Sequence, residues 1–273
     1  MIIKLSVLFF FIGVMAGVIN RYTPISRSIL SLTCGYFFLP VLGINLASFY
    51  PYLLASVLVA CLPVCLYVWL KKLRHVEPQK LVFKYAPGIS MGAVVGAQLV
   101  SILSYKVLII VLSVFLFSLL LIQSYRLISH VNGSVILHSH VNKWLKALKP
   151  LPLGMFLGTG AVLFADDCHT VSKSVLDGAD SHQPDNQNGL SVFVCFAAMI
   201  GFVFPAVQPV FIDVNVSMDW FAGLVCLPIS MSLAAGLFIA ACFPAWTIND
   251  FEKKFISFCI ILYLVICLIR IWF

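Results

Sequence analysis

Ala86-Pro87-Gly88-Ile89-Ser90-Met91-Gly92-Ala93-Val94-Val95-Gly96-Ala97-Gln98-Leu99-Val100 is the stretch on which the reading of this chain turns. Pro87 suits the first turn of an apolar helix, where its missing N–H costs nothing. Gly88, Ser90, Gly92, Ala93, Gly96 and Ala97 follow, and Gly92 and Gly96 share one helix face. In lipid a face of small residues lets a second backbone approach closely. A second copy reads Pro228-Ile229-Ser230-Met231-Ser232-Leu233-Ala234-Ala235-Gly236. Ile89-Ser90-Met91 matches Ile229-Ser230-Met231, and Gly96 matches Gly236. Each copy leads into another apolar segment ending in a lone arginine, Arg126 or Arg270. The matched surroundings predict an internal duplication.

Composition sets the class. The 273 residues are 62% hydrophobic and 10% charged, with a mean hydropathy of +1.07; a soluble domain carries about 25% charged residues. The expected fold is an all-α polytopic membrane protein. The net charge of +7 does not point to nucleic acid, because the lysines and arginines fall in short loops, where they report topology. The nine cysteines are scattered, mostly inside apolar segments, and read as small buried residues. Cys61 and Cys65 are four apart but have no further ligand near them in sequence for zinc or redox work.

Along the chain, Leu5–Val18, Leu30–Leu46, Tyr52–Leu70, Pro87–Leu103 and Val107–Ile128 read as spans. No small-x-small cleavage site follows the first of these, so it reads as a short or tilted span rather than a signal peptide. Lys71, Lys72, Arg74, Lys80 and Lys84 make the most basic loop, placed in the cytoplasm. Leu151–Phe164, Leu190–Phe211, Trp220–Phe243 and Phe255–Phe273 follow. The total is eight or nine transmembrane helices. The expected organisation is a first membrane repeat over residues 1–128, a cytoplasmic connector over 129–150 and a second membrane repeat over 151–273. Trp69, Trp220, Trp246 and Trp272 lie near segment ends, as an interfacial belt would place them. Pro40, Pro63, Pro205, Pro209 and Pro228 interrupt or border spans. Two halves with short, Gly/Pro-interrupted segments in corresponding places point to a secondary transporter.

These features resemble the TauE/SafE sulfite-exporter-like permeases. Phe11-Ile-Gly13-Val-Met-Ala-Gly17 resembles the family's opening helix, and Phe156-Leu-Gly158-Thr-Gly160 resembles it again. Gly35-Tyr-Phe-Phe-Leu-Pro40-Val-Leu42 resembles the end of its glycine-rich break with Pro-x-Leu. Pro87–Ala97 resembles the later small-residue helix, Met218-Asp219-Trp220 the polar entry to its second copy, and Pro228–Gly236 that copy. The second half departs from the pattern: its corresponding break is an acidic stretch over 166–189 without a glycine run. The resemblance implies two related halves with broken or short helices and transport of sulfite, sulfonates or related anions. It also implies an integral protein of a bacterial inner (plasma) membrane.

An anion path needs positive potential where water is excluded. No lysine or arginine lies deep within the apolar segments as read above, so helix N-termini are the remaining source. Gly35, Pro40, Pro87, Gly88, Ser90, Gly92, Gly96, Pro228, Ser230 and Gly236 are the candidate pathway residues. Ser90 and Ser230 have interhelical hydrogen bonding as their plainer role, and the glycines have close packing.

Asp166-Asp167-Cys168-His169 with Asp180, His182 and Asp185 has donors for a divalent metal, though the spacing is irregular. A shared-proton aspartyl dyad needs carboxylates from separate elements, and neighbouring Asp166 and Asp167 point apart. His138-Ser139-His140 reads as a solvated loop. No nucleotide-binding Gly-x-x-x-x-Gly-Lys-Ser/Thr occurs, and no cofactor or enzymatic activity is expected. The expected function is a secondary transporter moving a small anionic solute across a lipid bilayer by alternating access, with no oligomeric state assigned. The alternatives are a transport-inactive membrane scaffold that binds a partner and a divalent-metal permease using the 166–185 cluster.

Overall fold

A computed structural model describes residues 2–22, 25–73, 80–129, 150–166, 185–207, 220–243 and 250–272. Among these residues the chain is nine helices and one small hairpin. The helices are α1 (Ile2–Tyr22), α2 (Arg27–Phe38), α3 (Leu46–Leu73), α4 (Lys80–Ile102) and α5 (Tyr105–Ser129), then α6 (Pro150–Leu163), α7 (Asp185–Val203), α8 (Leu227–Cys242) and α9 (Asp250–Trp272). The hairpin pairs β1 (Phe221–Ala222) with β2 (Val225–Cys226). The fold is all-α in character. Three helical stretches, Ile2–Tyr22, Leu46–Lys71 and Val82–Ile102, are long and apolar enough to cross a membrane.

The outward faces are apolar as well as the core. Ile3, Val7, Phe11 and Met15 on α1 are exposed at helical spacing. Val107, Ile110, Val114, Phe117 and Leu121 do the same on α5, and Phe258, Leu262, Ile266 and Ile269 on α9. In water, contiguous apolar patches of this extent mark surfaces that something else covers.

Local chemistry moves several boundaries from their expected places. α4 begins at Lys80, so Pro87 lies inside the helix rather than in its first turn. Its ring and Phe83, whose carbonyl loses a partner there, are both on the exposed side. α2 begins at Arg27, not Leu30, because Ser26 caps it: the Ser26 hydroxyl accepts from Ile29 N. The same helix stops at Phe38, where Pro40 enters a 3-10 turn over Leu39–Leu42. Gly43 closes that turn in the left-handed conformation, φ 76°. α7 starts at Asp185 rather than Leu190. The residues before α8 form the hairpin, and Pro228 does occupy that helix's first turn. The connector over 130–149 and residues 208–219, including Pro209, lie outside the described residues.

Helix directions follow from which residues meet. Gly88, Gly92 and Gly96 on α4 abut the carbonyls of Leu151, Met155 and Thr159 on α6, so the two run parallel. Gly13 and Gly17 on α1 meet Leu233 and Ala240 on α8, again in parallel. α3 runs with α8: Tyr52 rings pack on Phe221, Ser56 Oγ accepts from Cys226 N, and Tyr67 packs on Phe238. α7 runs with α4, with Gly189 beside Val82 and Gly201 beside Ala97, and Gly189 also lies at Trp69, near the far end of α3. α2 opposes α1, since Gly35 meets Phe9 while Asn20 donates to Ile25 O. α9 follows α2, pairing Tyr263 with Thr33 and Arg270 with Phe37. α1, α3 and α8 therefore point one way, and α2, α4, α6, α7 and α9 the other. α5 follows α4 through a tight turn at 103–104 and starts beside Tyr36 and Tyr50, so it joins the first group.

The two parallel seams share one register. A Cβ on Gly92 would overlap Met155 O, and one on Gly158 would overlap Ile89 O and lie 2.9 Å from Ala93 N. A Cβ on Gly236 would overlap Phe10 O, and one on Gly13 would lie 2.5 Å from Leu233 O and 3.1 Å from Leu237 N. Gly236 therefore stands where Gly92 stands, and Gly13 where Gly158 stands. The sequence match of Gly96 with Gly236 is one helical turn out of this register. Gly96 corresponds to Ala240, and Ser90 and Ser230 do not occupy equivalent places. The point of closest backbone approach decides the equivalence, and the shared Ile-Ser-Met does not sit at it.

Candidate functional site

The ten candidate pathway residues fall into three places. Gly88, Gly92 and Gly96 face α6, and Gly236 faces α1, each against neighbouring backbone. Thr159 Oγ1 donates to Gly92 O at 3.0 Å, closing the α4–α6 seam further. Ser90 is half-buried on α4, and Ser230 is buried and donates back to Leu227 O at 3.1 Å. Pro87 faces outward and Pro228 lies in the first turn of α8. Gly35 and Pro40 belong to α2 and its terminal turn. A Cβ on Gly35 would meet Leu53 and the Phe9 ring, both at 3.1 Å. The structure does not gather the ten into one cluster.

Helix α2 instead carries a concentration of buried polar groups. Ser26, Arg27, Ser28, Ser31 and Thr33 are all buried on or just before it. Three groupings lie along its length. At its start, Arg27 retains 7% exposure and its guanidinium donates to Asn188 Oδ1 on α7 at 3.4 Å. Ser31 lies one turn on, fully buried, with its hydroxyl unpartnered. The Trp69 indole N–H, also buried and unpartnered, packs against Gly189, the neighbour of Asn188. Midway, Tyr263 donates to Thr33 Oγ1 at 3.0 Å and to Cys34 Sγ at 3.2 Å. At its end, Tyr36 and Tyr105 share a 3.2 Å hydrogen bond beside the Tyr50 ring.

No lysine or arginine lies deep within the apolar runs as read, but Arg27, just before the run from Leu30, is buried. An apolar run counted from Leu30 leaves Arg27 in a loop. Ser26, an N-cap residue type directly before it, draws it into the first turn. Asn188 and Trp69 had no local sequence signal, because their role depends on α3 and α7 meeting α2.

The hairpin is fastened to α3 by Ser56, which donates to Tyr52 O at 2.6 Å and accepts from Cys226 N at 2.8 Å. Most of the acidic cluster, 167–184, lies outside the described residues; Asp166 is buried after the end of α6. Among the described residues no three His, Cys, Asp or Glu side chains gather as a metal site. No protein-family model, no curated protein and no solved structure matches the chain.

Proposed function

We propose that this chain is a membrane-embedded secondary transporter of small anions, of the organisation seen in TauE/SafE-like permeases, working by alternating access. One observation carries the reading. The opening helix of each half, α1 or α6, packs on the small-residue helix of the other half, α8 or α4, in one register and with opposite direction. The same exchange relates the α4–α7 and α3–α8 contacts. Two halves of opposite topology, wound into each other, are the architecture of many secondary transporters. The half-boundaries at 1–128 and 151–273 suit this exchange, with α1–α5 answering α6–α9. The exposed apolar faces fit a lipid surround, with about eight or nine crossings in the whole chain.

The short α2 fits a solute path, because buried polar side chains inside a membrane protein are costly and mark function. The seam glycines act in this reading as supports that hold the halves together, not as solute contacts. Sulfite and small sulfonates are the solutes to try first. The test is uptake of labelled sulfite and a labelled short-chain sulfonate into proteoliposomes under proton, sodium and voltage gradients. Gradient-driven flux above protein-free vesicles is the expected result. Absence of flux for every anion and gradient, with a stoichiometric partner co-purifying, would replace the reading with a membrane scaffold.

A further inference from the structure

We propose that the hydroxyls of Tyr36, Tyr50 and Tyr105 form a binding site for a small oxyanion where α2 ends and α3 and α5 begin. The proposal rests on the anion-transporter reading above and gives that reading a site. It starts from a polar group that the fold leaves alone. Tyr50 is fully buried, and its hydroxyl has no hydrogen-bond partner. Such groups are rare in native proteins, and phenylalanine would fill the same space without the penalty. The neighbouring hydroxyls do not relieve it, because Tyr36 and Tyr105 bond each other at 3.2 Å. The Tyr50 ring stands edge-on to both, with centroids 6.4 Å from Tyr36 and 5.9 Å from Tyr105. The three hydroxyls are close enough to interact electrostatically.

The set has hydrogens to spare. Each phenol donates one. The Tyr36–Tyr105 bond uses one, so the Tyr50 hydrogen and that of whichever tyrosine accepts remain for a ligand. The surrounding charge selects the ligand's sign. Neither α3 nor α5 has an acidic residue in its first turn, so no carboxylate of their own offsets the positive ends of their dipoles. Tyr105 is the first residue of α5, and Lys106 is exposed beside it. At the end of α2 the Gly43 N–H already takes Leu39 O and Pro40 O, which reduces the negative end that helix would present. Positive helix starts, an exposed lysine and free phenol hydrogens suit an oxyanion and not a cation. Tyr50 is sealed and Tyr105 half-buried, so the opening lies on the Tyr105 side. The site stands where Pro40 ends α2, the short helix on which the transport reading already draws.

The test uses the full chain, purified in detergent and reconstituted into proteoliposomes. Sulfite and methanesulfonate are titrated as choline salts, with choline chloride as the ionic-strength control. Thermal unfolding reads binding, and uptake of the labelled anions reads transport. The expected result in the parent is a saturable rise in Tm with an oxyanion and not with the control salt. Tyr50→Phe keeps the ring and removes the orphaned hydroxyl, so its Tm without anion should rise. The same variant should lose most of the anion-dependent rise and raise the transport KM about fivefold, with a smaller change in maximal rate. Tyr105→Phe should raise KM about threefold, and it carries the test should Tyr50→Phe not fold. Flux in the parent with KM unchanged in the folded variants would overturn the site while leaving the anion reading standing. An anion-dependent Tm rise that Tyr50→Phe abolishes, without flux in the parent, would keep the site and overturn transport. No flux and no Tm rise in the parent would overturn both.

Discussion

In the α4–α6 seam five glycines, Gly88, Gly92, Gly96, Gly154 and Gly158, meet backbone from the facing helix. The α1–α8 seam meets the same demand at its centre with Gly236 and Gly13. One turn away it has Phe9 where the first seam has Gly154, and Ser232 where the first has Gly88. Phe9 is not wasted there: its ring is buried and packs against Gly35 on α2. One central glycine pair is thus the shared requirement, and the flanks adapt to whichever third helix stands nearby. Thr159 shows the same freedom, since it hydrogen-bonds across the first seam at the position Val14 takes in the second.

The most damaging way to test this equivalence is to fill the centres. Leucine at 92 or 236 would drive a side chain into Met155 or Phe10 backbone, which cannot give way as a side-chain tip can. Each substitution should cost more than about 3 kcal/mol, above the usual overpacking range. Loss of the monodisperse peak in detergent size exclusion and a lowered Tm would report it. The seams are equivalent only if both variants fail; a folded Gly236→Leu beside a collapsed Gly92→Leu would break the comparison.

A gentler test exchanges the partners one turn further on. Gly17 faces Ala240, with a Cβ on Gly17 only 2.5 Å from the Ala240 methyl, whereas Gly96 faces the Cβ of Val162 at 3.0 Å. The small residue has changed sides between the seams. Gly17→Ala should cost about 1–3 kcal/mol as an overpacked contact. Adding Ala240→Gly should recover most of that, because the two methyls compete for one space. Thermal unfolding of the singles and the double gives the coupling directly. Additive losses would mean that α1 and α8 shift apart instead.

Thr159→Val asks how much the extra hydrogen bond adds. The valine keeps the shape and leaves Gly92 O and Met155 O to their helix partners, so a loss of about 0.5–1.5 kcal/mol is expected. Val14→Thr in the other seam should then be close to neutral or slightly stabilising by the same measurement.

Much of this architecture is legible in the residues before any coordinates. Glycines four apart in an apolar helix have few uses beyond close packing, which makes Gly88, Gly92 and Gly96 readable as a packing face; Gly236 is readable as the copy, and Gly13 and Gly158 only through the resemblance of the opening helices. The register between the copies was not legible. Three identical residues, Ile-Ser-Met, outweigh a lone glycine in an alignment, yet closest approach is set by the partner helix. Pro87 differs from its expected place for a related reason: hydropathy begins a span at the first apolar residue, while α4 starts among the charges at Lys80. Arg27 falls outside the apolar run in the same way, since the Ser26 cap starts α2 three residues before Leu30. The pairing of Arg27, Asn188 and Trp69 joins three helices across more than 160 positions, and no local pattern encodes such a meeting.

The smallest expected effect separates a packing glycine from an idle one within a single turn of α6. Gly158 and Gly160 are two residues apart and look alike in the sequence. A Cβ on Gly158 would overlap Ile89 O, but one on Gly160 would meet only the edge of the Phe164 ring, at 3.5 Å and 3.7 Å. The second distance range is ordinary van der Waals contact. Gly160→Ala therefore keeps every seam contact and removes backbone freedom from the unfolded chain, and it should stabilise the helix by about 0.5–1 kcal/mol. Gly158→Ala should instead destabilise, because its methyl has no room. Opposite shifts in Tm for these two alanines would place the seam on one face of α6. Shifts of the same sign would mean that α4 does not approach α6 as closely at Gly158 as Gly92 and Met155 require.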